Sequence, residues 1–431
     1  MYGSVSEHVF GLGSPIGTEG RDLTPAWRSA GPLLLMLGLP PLTAYLWICL
    51  REGGGALLLP LSAAEVRELA ARLPVPTPRS MVLYGSWVGL QMALHRWGPG
   101  RLQLGTPLAD GARLAYRLNG WSALWATLVV LATAVALGVL PPTVAYDEFG
   151  PLLATATLAA FALAALLYAQ GRRAGAGTGE PARDYFLGTT LNPRWAGLDL
   201  KFFCETRPGL ILWAVFNLSF VAAQYQRHGT VTTAMLLVTA FQLLYVADCL
   251  FHEEAILTTW DITRERLGWM LVWGGLVWVP FTYTLQAHYL VDHLHALPPA
   301  AIAGLVGLNL AGYAVFRASN LQKHRFRLDP GRPVWGRTPE YIRTAAGSLL
   351  LISGFWGMAR HLNYLGDLAM ALAWCLPAGF AHPLPYFYVV YMTVLLLHRE
   401  RRDNAVCRAK YGPDWDAYCR RVRWRILPGV Y

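Results

Sequence analysis

The chain has 431 residues, of which 55% are hydrophobic and only 14% are charged, and its mean hydropathy is +0.34. These polar residues are too few to cover the surface of a soluble protein of this length. The composition therefore predicts an integral membrane protein. The net charge of +10 could indicate a nucleic-acid partner. The basic residues, however, stand in connectors between apolar runs, so no nucleic acid is expected.

The chain begins with a Gly-, Ser- and Thr-rich stretch, and residues 1–30 are predicted to be a flexible arm. Ten apolar stretches of about the length that a spanning helix needs follow at 31–50, 80–97, 121–141, 150–170, 206–225, 230–250, 266–290, 298–318, 364–380 and 383–397. We therefore predict an all-α, polytopic membrane bundle of about ten transmembrane helices. The Lys- and Arg-rich connectors each follow an even number of spans, which predicts that both termini are cytoplasmic.

Polar residues divide the spans into two parts. Spans within residues 31–183 carry few of them, which indicates a scaffold, whereas residues 184–431 carry short polar clusters at nearly every span. Ionisable residues inside a membrane are functional hypotheses by default, so the chemistry is expected in the second part. The six cysteines include no CxxC pair, so neither a disulfide framework nor a metal site is expected.

The stretch FQLLYVADCLFHEEAILTTWD (241–261) places Tyr245, Asp248 and His252 on one face of a predicted helix. A phenol, a carboxylate and an imidazole at the end of an apolar span can hold a proton donor in a dry cavity. The alternative is a set of interfacial residues that bond to neighbouring helices, with Glu254 solvated at the membrane edge.

Two basic stretches suit a phosphorylated ligand. RASNLQKHRFR (317–327) predicts a helix end whose cations either bind phosphate or anchor the chain on the cytoplasmic side. In the tail, residues 398–431, cations alternate with aromatic rings, as a planar phosphorylated ligand requires. The first part of the tail is predicted to be a helix that stops at Tyr411-Gly412-Pro413. An anionic-lipid anchor is the alternative, although Asp403 among arginines argues against a pure anchor.

A polar run precedes the ninth span. The stretch GFWGMARHLNYLGD (354–367) combines three glycines, which permit close backbone approach, with Arg360, His361, Asn363, Tyr364 and Asp367. Polar groups at membrane depth are tolerated only where they line a cavity or are buried in protein. The run therefore predicts a cytoplasm-facing pocket that penetrates the bilayer.

Three stretches together resemble the membrane sterol reductases, the family of Δ14-, Δ7- and Δ24(28)-reductases that includes the lamin B receptor. They are DYFLGTTLNPR (184–194), the polar run at 354–367 and LLLHRERRDNAVCRAKYGPDW (395–415). RPGLILWAVFNLS (207–219) and HEEAILTTWDI (252–262) are most similar to the Δ14 branch. The resemblance implies NADPH-dependent reduction of the C14–C15 double bond of a sterol taken from the bilayer.

The resemblance also implies residue roles. A sterol double bond carries no carbonyl that would make it electrophilic, so it must be protonated before it accepts hydride, and Tyr245 is the expected proton donor. Asp403 is an alternative donor or a charge-tuning partner, and Asp248, His252 and Glu254 are expected relay members. By the same resemblance, NADPH would be held by Lys323, Arg327, Trp356, Arg360, His361, Asn363, Tyr364, Asp367, Arg399, Asp403, Cys407, Lys410, Tyr411 and Tyr418. The abundant cations favour NADPH over NADH because the 2′-phosphate needs a positive partner.

Three alternatives remain open at the level of sequence. A Δ7-reductase would share most of the motifs. The RHxNYxG pattern is also similar to membrane methyltransferases, which are much smaller proteins. A sterol-binding or scaffold protein without catalysis would share every motif. The expected partners are the sterol and membrane lipids, in a bacterial cytoplasmic membrane or, in a eukaryote, the endoplasmic reticulum; the oligomeric state is left open.

Overall fold

The computed structural model of the chain describes residues 25–108 and 111–431, which are mostly helical, as predicted. Residues 1–24 of the predicted arm lie outside the described residues. The first helices are α1 (Pro25–Arg51), α2 (Ala63–Ala71), α3 (Pro78–Trp97), α4 (Gly120–Ala136), α5 (Val144–Asp147), α6 (Phe149–Arg173) and α7 (Pro181–Leu187). They are followed by α8 (Leu200–Thr206), α9 (Pro208–His228), α10 (Thr233–Phe251), α11 (Trp260–Thr263), α12 (Trp269–Trp273), α13 (Val279–Thr282), α14 (Leu285–Leu290), α15 (Pro299–Leu328), α16 (Phe355–Met358), α17 (Leu362–Cys375), α18 (Phe387–Tyr411) and α19 (Pro413–Arg421).

Three short antiparallel strand pairs correct the all-α prediction. They join β1 (Arg101–Leu104) to β2 (Ala115–Leu118), β3 (Arg194–Trp195) to β4 (Leu198–Asp199) and β5 (Tyr341–Arg343) to β6 (Leu349–Leu351). All three lie in connectors, where backbone N–H and C=O groups without a helical partner must find another one. The β3–β4 turn places Ala196 and Gly197 at φ values of 50° and 81°, as a tight two-residue hairpin requires.

In the part of the chain that the structure describes, five helical stretches are long and apolar enough to cross a membrane: Ala30–Arg51, Phe149–Arg173, Leu200–His228, Thr233–Phe251 and Pro299–Leu328. They coincide with the predicted spans at 31–50, 150–170, 206–225, 230–250 and 298–318. A shorter apolar helix, Gly120–Ala136, occupies most of the predicted span 121–141. The predicted span 80–97 is helical as α3.

The predicted span 266–290 is not one continuous α-helix. It is divided among α12, a π-helical turn at Gly274–Trp278, α13 and α14. The two adjacent glycines and Pro280 interrupt the regular hydrogen-bond pattern here. Every residue from 267 to 291 is buried, and α6, α9 and α10 pack around the segment. Because it is buried along its whole length, this mostly apolar segment forms the centre of the bundle.

Prolines shorten the last two predicted spans. Helix α17 ends at Cys375, before a 3-10 turn that contains Pro377, and α18 begins at Phe387, after a 3-10 turn that contains Pro385. Proline lacks the N–H that a helix interior needs. Helix α18 then runs unbroken to Tyr411 and stops at Gly412, whose φ is 52°, which confirms the predicted helix stop.

Helices α15 and α17 approach each other backbone to backbone. A Cβ atom on Gly366 would lie 2.6 Å from both the Gly312 carbonyl oxygen and the Phe316 nitrogen, and one on Gly312 would lie 2.8 Å from the Gly366 oxygen. Small residues permit such contacts in membrane bundles. The close approach expected at Gly366 is confirmed, and it sets the basic end of α15 beside the polar run before α17.

We expect Gly366→Ala to separate α15 from α17, because its methyl group would overlap the backbone of α15. The unfolding temperature in detergent should fall by several degrees, consistent with the roughly 1–3 kcal/mol that overpacking costs. Gly304→Ala is the matched control on α15, where nothing lies within 4 Å of an added Cβ. Equal melting temperatures for the two variants would contradict the close contact.

Candidate cofactor and proton-donor site

The predicted cofactor residues come from five consecutive helices. They lie on α15 (Lys323, Arg327), on α16 (Trp356), at the start of α17 (Arg360, His361, Asn363, Tyr364, Asp367), on α18 (Arg399, Asp403, Cys407, Lys410, Tyr411) and on α19 (Tyr418). Of the predicted catalytic residues, Tyr245 and Asp248 lie on α10. His252 follows that helix, and Glu254 lies in a 3-10 turn at Glu253–Thr258.

Lys323 lies over the indole of Trp356, with its Nζ 3.7 Å from the ring centroid. The indole is held in place because its Nε1 donates to the Ser319 carbonyl oxygen at 2.7 Å. The Lys323 ammonium also interacts electrostatically with Asp403 and with Arg327 one turn along α15. These contacts join α15, α16 and α18 at one point, which is a cation on an aromatic platform.

The chain's last residues fold back onto the polar run. The backbone N–H groups of Arg360 and His361 donate to the carbonyl oxygens of Trp424 (3.0 Å) and Arg425 (2.8 Å). The Arg360 guanidinium also donates to the Val422 oxygen at 2.9 Å. The run therefore satisfies its backbone within the protein, as polar segments in apolar surroundings must.

A buried carboxylate joins these two parts of the chain. Glu400 is fully buried, and its oxygens lie 3.1 Å from Arg425 Nη1 and 3.9 Å from Arg360 Nη2. Sequence reasoning missed Glu400, although its position among arginines in the tail is the same signal that drew attention to Asp403. One acidic residue thus offsets two guanidinium groups beneath the predicted cofactor residues.

Rings and cations extend the site around the start of α17. His361 and Tyr364 stack with their centroids 4.8 Å apart, and the Arg399 guanidinium lies 5.8 Å from the Tyr364 ring. Burial and the positive charges of Lys323, Arg399 and Arg360 hold the pKa of His361 well below its ordinary value. His361 is therefore a neutral hydrogen-bonding group at neutral pH.

The ends of α18 and α19 form the remaining wall. Lys410 Nζ lies 4.8 Å from the Tyr411 ring, and Trp415 stacks on Tyr418 with centroids 4.9 Å apart. Cys407 packs against the same ring cluster and interacts electrostatically with Asp403 and Lys323. The structure thus brings cations, rings and a carboxylate from separate helices into one region.

Tyr245 lies deeper in the bundle, among aromatic rings. Its ring centroid lies 5.3 Å from that of Trp374, 5.9 Å from Trp213 and 6.4 Å from Phe316. Its phenol interacts electrostatically with the carboxyl group of Asp367 on α17. The predicted proton donor is therefore adjacent to the predicted cofactor residues through Asp367.

Asp248 and His252 contact two residues of α15, Tyr313 and Arg317. Tyr313 donates its hydroxyl hydrogen to Asp248 Oδ1 at 2.8 Å, and Arg317 Nη2 lies 2.5 Å from His252 Nε2. A guanidinium has no acceptor, so Nε2 accepts this bond and Nδ1 carries the ring proton towards Asp248. Sequence reasoning missed Tyr313, because a tyrosine within an apolar span resembles core.

Glu254 is partly exposed, unlike the buried Asp248. Its Oε2 forms an ion pair with Arg101 Nη2 at 3.0 Å, and both side chains are more than a third exposed. Its neighbour Glu253, which was not predicted, is buried and forms an ion pair with the fully buried Arg207. The two adjacent glutamates thus face different environments.

We expect Glu400→Ala to destabilise the protein strongly, because Arg360 would stay buried without its carboxylate. Breaking a buried pair costs about 3–5 kcal/mol, so the unfolding temperature should drop sharply. Asp416→Ala is the matched control, since the Asp416–Arg408 pair is exposed and such pairs contribute about 1 kcal/mol or less. Similar unfolding curves for the two variants would show that Glu400 does not hold the tail in place.

Comparison with known proteins identifies the family of the chain. The chain matches the ergosterol biosynthesis ERG4/ERG24 family over residues 28–431. It is similar to "Delta(14)-sterol reductase" of Methylotuvimicrobium alcaliphilum, with 54% identity over 402 residues that cover 93% of this chain and 94% of that protein. It is also similar to "Delta(14)-sterol reductase TM7SF2" of Mus musculus, with 44% identity over 414 residues that cover 93% of this chain and 97% of that protein.

A longer relative is "Delta(14)-sterol reductase LBR" of Gallus gallus, 41% identical over 408 residues that cover 91% of this chain and 62% of that protein. These matches confirm the predicted family, and together with the apolar helices they identify an integral membrane protein. The chain belongs to the ergosterol biosynthesis ERG4/ERG24 family, the sterol reductases that its motifs resemble.

Proposed function

We propose that the protein is an NADPH-dependent sterol Δ14-reductase, which reduces the C14–C15 double bond of a sterol biosynthesis intermediate. The observation that carries the proposal is the meeting of Lys323, Trp356 and Asp403 at one end of α15, a helix whose Phe316 packs against Tyr245. The names of relatives with up to 54% identity support the choice of the C14 bond.

The residues fit a phosphorylated dinucleotide. Lys323, Arg327 and Arg399 supply positive charge for phosphates, and the rings of α16–α19 supply flat surfaces. Two buried atoms of the polar run, Arg360 Nε and Asn363 Oδ1, have no hydrogen-bond partner within residues 25–108 and 111–431, which suits a polar ligand. When bound, NADPH supplies the hydride that completes the reduction.

The proton is the contribution of the protein. A sterol carbon–carbon double bond without a conjugated carbonyl is not electrophilic, so a general acid must protonate C15 before C14 can accept hydride. We assign this role to the Tyr245 hydroxyl, with Asp403 as an alternative donor or charge-tuning group. Trp374 and Trp213, whose rings pack on Tyr245, would stabilise a positive charge at C14 and keep water away from it.

A hydrogen-bonded chain offers a route for returning the proton. It runs along the boundary of α10 and α15 from Tyr313 through Asp248 to His252. Arg317 holds the His252 ring in place and carries no proton, because a guanidinium stays protonated. We propose that this chain connects the Tyr245 region to the cytoplasmic side. Glu254 would take part only at its outer end, since it is paired with Arg101 there.

The proposal includes a membrane arrangement. We propose about ten spans with both termini in the cytoplasm, a scaffold at 31–183 and a catalytic part at 184–431. The polar connectors and the site then share the cytoplasmic face, where NADPH is available, and the sterol enters from the lipid. The membrane would be a bacterial cytoplasmic membrane or, in a eukaryote, the endoplasmic reticulum.

The test is sterol analysis by gas chromatography and mass spectrometry after incubation with NADPH and either a Δ8,14-sterol or a Δ7-sterol. We expect loss of the Δ14 bond only. Tyr245→Phe should slow the reaction by about 100-fold or more, as is typical when a general acid is removed. Tyr225→Phe is the matched control, because Tyr225 is 62% exposed on α9.

The outcomes separate the alternatives. Full activity of Tyr245→Phe would remove the role of Tyr245 as proton donor and move it to Asp403. Reduction of the Δ7-sterol alone would place the protein in the Δ7 branch. No reduction of either sterol, together with no NADPH consumption, would favour a sterol-binding protein without catalysis.

A further inference from the structure

A cavity lies apart from the predicted cofactor and proton-donor residues. It has a volume of about 240 Å³ and is bounded by the end of α3, the β1–β2 hairpin and the β3–β4 turn. Its polar lining consists of His95, Arg96, Tyr116, Arg117, Arg194 and Asp199. The volume is below the roughly 300–1,000 Å³ of sites for drug-sized ligands, so it suits a small group.

The cavity has an excess of positive charge. Arg194 is fixed in place, because its Nη2 donates to the Ala115 oxygen at 2.9 Å and its Nε lies 3.6 Å from Asp199 Oδ2. Asp199 is the acidic residue of the lining, and it is already engaged with Arg194. Within residues 25–108 and 111–431, no carboxylate forms an ion pair with Arg96 or Arg117.

A buried polar atom at the cavity lacks a partner. His95 is only 5% exposed, and the Asn119 side chain lies near its ring, but no described residue completes a hydrogen bond to Nδ1 by distance and angle. The rings of Phe202 and Phe203 lie 5.9 and 5.8 Å from the imidazole and restrict its position. Unpaired buried polar atoms are rare in folded proteins, so this one points to a ligand.

Exposed apolar residues lie next to the residues that line the cavity, and they indicate its position relative to the membrane. Trp97 and Trp195, which follow Arg96 and Arg194, are 76% and 65% exposed. Leu102, which lines the cavity, is 68% exposed. Exposed tryptophans next to cations are characteristic of the headgroup level of a membrane. A phosphate at this level belongs most readily to a lipid.

We propose that this cavity is a binding site for a phosphate group, supplied by the headgroup of an anionic phospholipid. Arg96 and Arg117 would bind the phosphate oxygens beside the fixed guanidinium of Arg194, with a further hydrogen bond from His95 Nδ1 when that atom carries a proton. Guanidinium groups suit phosphate oxygens because they form paired, charge-assisted hydrogen bonds. A bound headgroup would join α3, the β1–β2 hairpin and the start of α8.

The proposal can be tested on delipidated full-length protein in detergent at constant ionic strength. Native mass spectrometry would count bound dioleoyl phosphatidylglycerol and phosphatidylcholine, and thermal unfolding would measure protection by each lipid and by inorganic phosphate. The test variant is Arg96→Gln/Arg117→Gln. The charge-matched control is Arg67→Gln/Arg113→Gln, which removes two exposed arginines outside the cavity.

We expect phosphatidylglycerol to bind the wild type and the control equally, and the test variant about 30-fold more weakly, as for the loss of two cations at a membrane surface. Protection by inorganic phosphate with the same arginine dependence would support the site and identify a soluble phosphate as its ligand. Equal lipid binding by the test variant and the control would overturn the proposal. Sterol reduction does not enter either readout, so the result is independent of the proposed function.

Discussion

The site depends on how a polar run is kept inside an apolar bundle. Lipid offers no partners for backbone N–H and C=O groups, so residues 354–367 need partners from the protein itself. The tail supplies them through the carbonyl oxygens of residues 422–425, and Glu400 offsets the charges of Arg360 and Arg425. With the tail in this position, α18 and α19 bring their cations and rings to Lys323 and Trp356.

Close packing of α15 against α17 brings further residues to the site. Gly312 and Gly366 let α15 and α17 touch, so the basic end of one helix borders the polar start of the other. The same contact brings Asp367 of α17 towards Tyr245 of α10. The tyrosine that we propose as proton donor and the residues that we propose for the cofactor therefore lie on packed helices, as an acid-first reduction requires.

Local patterns predicted much of this arrangement. The end of α18 at Tyr411 was predicted from Gly412 and Pro413, and the shared face of Tyr245 and Asp248 from helical spacing. The break of span 266–290 was missed, because a uniformly apolar segment resembles a membrane span whether it meets lipid or protein. The pairing of Glu400 with Arg360 was missed as well, because the partners are 40 residues apart and no local pattern links them.

In the proposed reaction, the protein donates a proton to C15 and the cofactor donates hydride to C14. The most direct test uses a Δ8,14-sterol with NADPH carrying deuterium at the transferred C4 position, and separately with unlabelled NADPH in D₂O. Mass spectrometry and NMR should locate the cofactor's deuterium at C14 and the solvent's deuterium at C15. Cofactor deuterium at C15, or no cofactor deuterium in the product, would contradict hydride transfer to C14.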